Sequence, residues 1–208
     1  MTGRMAAGWC ALFFVLMGVS GCVGLYVGSW SASPIEGASL ADQGWTALDG
    51  EWRQPGPVFV FDSADSGLLF RPGETYGDVT VEARIHARHE FAEAGAARAG
   101  FVLRGAADPE GAGLASGYVA VLRGDGAVSI ATADGEVLGE VSTGADPRRQ
   151  TVPFRAEARG AVLTASVDGH EVLRVEDGRY ARGGVGLLAE SGELWFRDLR
   201  LGGNPASP

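Results

Sequence analysis

The chain has 208 residues, 17 basic and 26 acidic side chains, and a formal net charge of −9. That length suits one domain of ordinary size, and an acidic chain without a local arginine run excludes a nucleic-acid binder built on a basic stripe. Only two cysteines occur, Cys10 and Cys22, both ahead of the folded region, which excludes a disulfide framework, a thiol nucleophile and a thiolate metal site within it.

In chain order, Arg4 opens an uncharged, largely apolar run from Met5 to Gly28 that contains Val19-Ser20-Gly21-Cys22. A basic start, an apolar segment and small residues before a cysteine resemble a bacterial lipoprotein signal. That resemblance implies cleavage before Cys22 and lipidation of Cys22, with residues 1–21 removed. The alternative is an uncleaved signal-anchor over residues 5–28, because the run exceeds the roughly 20 apolar residues that span a bilayer. Ordinary secretion is a third reading; all three place the following domain outside the cytoplasm, and the first two tether it to a membrane of the bacterial envelope. Residues 22–44 read as a linker rich in Ser, Ala, Pro and Gly.

From Trp45 the pattern is strand after strand. Val79 to Arg88 alternates apolar and polar, which predicts one buried face and one face carrying Glu82, Arg84, His86 and Arg88. Further strands are predicted over Val58–Phe61, Gly67–Phe70, Gly100–Arg104, Tyr118–Arg123, Val128–Thr132, Val137–Val141, Val152–Ala158, Val162–Val167, His170–Val175, Gly184–Ala189 and Leu194–Leu201. Gly124-Asp125-Gly126, Asp134-Gly135 and Asp168-Gly169 mark hairpin turns, since type I′ turns need φ > 0. Phe91–Arg98 is the one helix-like piece and reads as an insertion. Thirty-three glycines suit tight turns better than long helices. The predicted fold is all-β, an antiparallel sandwich over residues 45–202 with a short tail at 203–208.

Three segments carry a family resemblance. They are Tyr76 to Arg84; Ala99 to Arg104 with Gly117 to Val121; and the ending, from Val162 through Asp168-Gly169 and Gly184-Val185-Gly186-Leu187 to Leu194–Leu201. In order and wording they resemble the concanavalin A-like jelly roll of lectins, glucanases and laminin-G modules, and most nearly its 3-keto-disaccharide hydrolase-like group. The resemblance implies a carbohydrate ligand. It also exposes departures: Val119 and Val121 stand where that group presents Glu and Gln, Ala99-Gly100 replaces Ser-Gly, and Arg104 alone is kept. The E-x-D-x-x-E strand of laminarinase-type sandwiches is absent too, and retaining glycosidases need two carboxyls about 5–5.5 Å apart.

The expected ligand-binding set is Glu82, Arg84, Arg104, Tyr118 and Arg123. The charged side chains would share an open sheet face and bond sugar hydroxyls, while an aromatic ring would stack on a pyranose. Trp45, Trp52, Tyr76 and Trp195 are further aromatic candidates, with Trp52 and Trp195 expected in the core. The same charges equally suit a salt-bridged solvent face. His86 and His89 with Glu90 or Glu93 make a weak metal constellation, so no metal is assigned, and no other cofactor is implied. Calcium held by Asp62, Asp65, Asp108 or Glu110 is compatible with a jelly roll. The leading expectation is a membrane-anchored glycan-binding module. The alternatives are a glycoside hydrolase acting on 3-keto-disaccharides or related sugars, and an envelope domain with a protein partner.

Overall fold

The computed structural model describes residues 44–88, 96–109 and 113–206. The apolar leader with Cys22, most of the linker, His89, Glu90, Glu93, Glu110 and the start of the helix-like stretch lie outside the described residues. Arg98, the end of that stretch, opens a strand instead. Among the described residues no helix is long and apolar enough to cross a membrane.

Thirteen strands form among them: β1 (Thr46–Asp49), β2 (Trp52–Arg53), β3 (Val58–Tyr76), β4 (Val79–Ala87), β5 (Arg98–Ala107), β6 (Leu114–Arg123), β7 (Ala127–Thr132), β8 (Val137–Ser142), β9 (Val152–Arg159), β10 (Val162–Val167), β11 (His170–Glu176), β12 (Gly183–Gly202) and β13 (Pro205–Ala206). The period-two reading of β4 holds: Val79, Val81, Ala83, Ile85 and Ala87 are buried, and Glu82, Arg84 and His86 face the other way. Asp168 and Gly169 both take positive φ, 51° and 79°, as a two-residue hairpin turn requires.

Every pairing is antiparallel, in the order β11-β10-β9-β4-β12-β5-β6-β7-β8, with β3 along β12 and β1, β2 and β13 on β3. Strand β12 serves both layers. Its first half pairs with β5 and its second half with β4. Strand β3 follows it through the corner, so the two expected strands Val58–Phe61 and Gly67–Phe70 are one. Asp62 to Ser66 between them is polar and shows no period of two. The ladder nevertheless continues there, and side chains at a corner have no opposite layer to face. A bulge between Glu190 and Gly192, with Ser191 at φ 56° and Gly192 at φ 128°, lets β12 turn the corner. Pairing of β13 with Thr75 and Tyr76 also draws part of the expected tail into the sheet.

The layers meet through aromatic rings. Phe101 of β5 stacks on Phe154 of β9 at 5.4 Å, and Phe196 lies between Phe101 and Trp52, at 6.4 and 5.9 Å. At the far edges, β8 and β11 nearly close the sandwich into a barrel. Gly139 makes room there, since a Cβ would lie 2.8 Å from Val175 and 3.1 Å from Leu173. Replacing Phe154, 1 % exposed, with Ala is expected to cost about 3–5 kcal/mol by removing ring contacts and leaving a cavity. Urea unfolding checks this as a lower midpoint at unchanged slope.

Candidate functional site

The outer face of the layer β8-β7-β6-β5-β12-β3 holds a cleft of about 610 Å³. Strand register builds it in rows. Arg123 lies opposite Arg98, Arg98 opposite Glu190, and Glu190 opposite Ser66. The next row runs Glu140, Ser129, Val121, Gly100, Leu188, Leu68. A third continues through Ala131, Val119 and Val102. The cleft thus has a charged rim and an apolar floor, and Gly100 lets β6 approach β5 closely, since a Cβ there would lie 2.1 Å from the Ala120 carbonyl oxygen.

Each rim arginine is held by carboxylates. Arg98 Nη1 donates to Glu190 at 2.8 Å. Arg123 grips Asp125 through Nε and Nη2, with Nε at 3.2 Å, and Glu140 lies 3.5 Å from its Nη1. The Arg123 hydrogen bond holds the Asp125 carboxyl below the usual carboxylate range. Ser66 donates to Asp49 at 2.9 Å. The Arg98 Nε is buried and has no partner. None of the lining residues is aromatic.

The expected set does not share one face. Arg123 lines this cleft. Glu82 and Arg84 lie on the outer face of the opposite layer, beside Arg155, Asp198 and Arg200. Arg104 is 2 % exposed and Tyr118 is fully buried at one end of the sandwich, so neither offers its side chain to a sheet face. A bulge after Leu103, with Arg104 itself at φ 52°, turns that side chain inward. Two glycines permit it. A Cβ on Gly117 would lie 2.6 Å from Gly105 Cα, and one on Gly183 would lie 2.3 Å from the Arg104 carbonyl.

Inside, Arg104 binds the carbonyls of Gly77, Gly160 (2.7 Å) and Tyr180 (3.1 Å), with Asp78 at 3.5 Å. The Tyr118 hydroxyl donates to Asp177 at 2.6 Å and accepts from the Tyr180 amide at 3.1 Å. Together they tie three connections: β3 to β4, β9 to β10, and β11 to β12. Burial, then the Asp177 carboxylate, pushes the Tyr118 hydroxyl pKa up. The Arg179 hydrogen bond, aided by Tyr118, holds Asp177 down at about 2.

Sequence reading missed Arg98, Glu140, Glu190, Ser66 and Ser129. Arg98 sat in the stretch read as helix-like, although its alternation with Gly100 and Val102 marks the face it shares with Val119, Val121 and Arg123. Trp195 is also corrected: it lies half-buried on the outside of the opposite layer, whereas Trp45, Trp52 and Tyr76 are core residues. Asp62 pairs with Arg53. Among the described residues no group of three or more His, Cys, Asp or Glu could hold a metal ion.

No protein-family model and no curated protein matches the chain. Solved structures do match. The carbohydrate-binding module CBM66 from Bacillus subtilis aligns at TM-score 0.65 and 19% identity, over 76% of this chain and 94% of that one. The potassium-bound Emp46p carbohydrate recognition domain aligns at 0.61 and 14%, over 81% and 93%. The VIP36 exoplasmic/lumenal domain with Ca²⁺ and Man3GlcNAc aligns at 0.57 and 11%, over 79% and 86%. At these identities the likeness establishes the fold, a lectin-type jelly-roll sandwich.

Two outcomes follow from the buried clasp. Arg104→Met strands three carbonyls and is expected to cost about 3 kcal/mol, read as a lower urea midpoint. Asp177, with its folded pKa lowered to about 2, contributes stability above the unfolded value of about 3.9 that is lost as pH falls toward 2. The difference in melting temperature between wild type and Asp177→Asn should therefore be largest at neutral pH and shrink between pH 4 and pH 2.

Proposed function

We propose that this domain is an extracytoplasmic glycan-binding module whose ligand is a neutral sugar seated in the cleft of Arg98 and Arg123. The observation that carries the reading is the pair of register-opposed arginines, each clamped by carboxylates beside an apolar floor. Like charges placed opposite each other destabilise a sheet, and exposed ion pairs return only about 0–1 kcal/mol. The arrangement therefore contributes little to folding. It does present fixed donors and acceptors to vicinal hydroxyls, while Val119, Val121 and Leu188 meet the C–H faces of the sugar. Four nearby carboxylates, Asp49, Asp125, Glu140 and Glu190, against two guanidinium groups favour a neutral ligand over an acidic one. The shared fold with lectin-type domains, CBM66 among them, supports the carbohydrate class.

Binding without bond cleavage is the mechanism proposed. Glu140 and Glu190 stand four strand spacings apart, about 19 Å along the sheet, too far to act as a glycosidase pair. The proposed tether is lipid on Cys22, as the resemblance to a lipoprotein signal implies, or an uncleaved anchor over residues 5–28, as the length of the apolar run allows.

Full-length protein in neutral detergent, titrated with a panel of neutral oligosaccharides, tests the reading. Arg98→Gln and Arg123→Gln should each weaken binding at least tenfold with the melting temperature unchanged. No saturable binding at millimolar sugar would overturn it, and appearance of cleaved product would replace it with the hydrolase. For the tether, Cys22→Ala should abolish acyl labelling and signal processing; unchanged processing with no label in wild type assigns the uncleaved anchor.

A further inference from the structure

The outer face of the opposite layer carries a different chemistry. Trp195 of β12 lies opposite His86 of β4, and Arg197 lies opposite Arg84. The Arg197 guanidinium sits 4.6 Å from the Trp195 ring centroid, and that of Arg88 sits 6.0 Å away. The carboxylates here are mostly engaged. Glu193 accepts from Arg88 at 3.0 Å and from the Trp195 indole at 2.9 Å. Glu82 is taken by Arg200 at 3.2 Å. Among the described carboxylates Arg84 has only Asp198, at 3.9 Å. Arg197 is exposed and forms no ion pair with any described carboxylate, its contact being the indole face.

Two guanidinium groups are thus opposed in register with too little negative charge to neutralise them. The Arg197 guanidinium lies over the Trp195 ring and is exposed, and N–H groups not taken by a carboxylate can receive one through two hydrogen bonds. A chain of net charge −9 repels acidic polymers generally, so any that binds must be captured locally.

We propose that Arg84, Arg197 and Trp195 form a second ligand site, which takes the carboxylate of an acidic sugar residue. The carboxylate bridges Arg84 and Arg197, and the sugar ring rests against the indole edge. The site lies on the face opposite the cleft and does not depend on it. A module with both sites joins a neutral glycan to an acidic one.

The test titrates full-length protein in neutral detergent with a galacturonic acid trimer, using a galactose trimer as the neutral control and calorimetry as the readout. The acidic trimer should bind more tightly than the neutral one and weaken as salt rises. Binding of the acidic trimer should fall at least tenfold in Arg197→Gln and in Arg84→Gln. Both positions are exposed, so melting temperatures should match wild type and a folding defect is separable. Arg123→Gln should leave acidic binding unchanged, which separates this site from the cleft. Equal affinity for the two trimers in the Arg123→Gln variant, whose cleft is disabled, no binding of the acidic trimer at about 10 mM, or acidic binding unmoved by both Arg197→Gln and Arg84→Gln would overturn the proposal.

Discussion

The long antiparallel pairing of β3 with β12 is the constraint on which the rest of the molecule depends. Most sandwiches divide their strands between layers. Here two strands of 19 and 20 residues belong to both. Because β12 pairs with β5 in one half and β4 in the other, its register aligns both layers at once. The same strand supplies Glu190 to the cleft and Trp195 and Arg197 to the opposite face. The bulge at Ser191–Gly192 lies between them, so a single backbone irregularity separates the two chemistries.

Arginine does three different jobs in this chain, and its surroundings decide which. Arg104 is buried because three backbone carbonyls and Asp78 meet its planar fork. Without them an enclosed guanidinium would be costly. Arg98 and Arg123 are half-exposed and clamped by carboxylates, which orients their remaining N–H groups. Arg197 has an aromatic face in place of a carboxylate, and so keeps N–H groups that no described carboxylate takes. One residue type thus yields a structural clasp, a neutral polar rim and a local anion attractor within a protein that is acidic overall.

The two faces also differ in what holds them. The cleft face rests on a small apolar cluster of Leu68, Phe70 and Val102 lying outside the main core. The opposite face is a lattice of alternating Arg and Glu over β4, β9 and β12, with Trp195 its one aromatic side chain among the described residues of those strands. The aromatic rings that suggested sugar stacking are largely spent on joining the two layers. The recognition proposed for the cleft therefore rests on polar side chains and an aliphatic floor.

Strand identity was legible wherever alternation was clean. In β4, β9 and β10 every second side chain is apolar, and a half-buried strand has that period by geometry. Hairpins at Asp-Gly were legible because few residues tolerate positive φ. Legibility stopped where a strand turned a corner, as at Asp62 to Ser66, since exposure on both sides erases the period. It stopped again at Arg104, where one bulge reverses a side chain that strict alternation would have put on the open face. The sequence by itself determined the all-β class, the acidic charge, the turns and which face of each regular strand is apolar, because these are local properties. Only the tertiary structure decided which strands become neighbours, and so which charges meet. Arg98 faces Arg123, and Arg84 faces Arg197, through pairings between segments far apart in the chain, and no local pattern encodes that register.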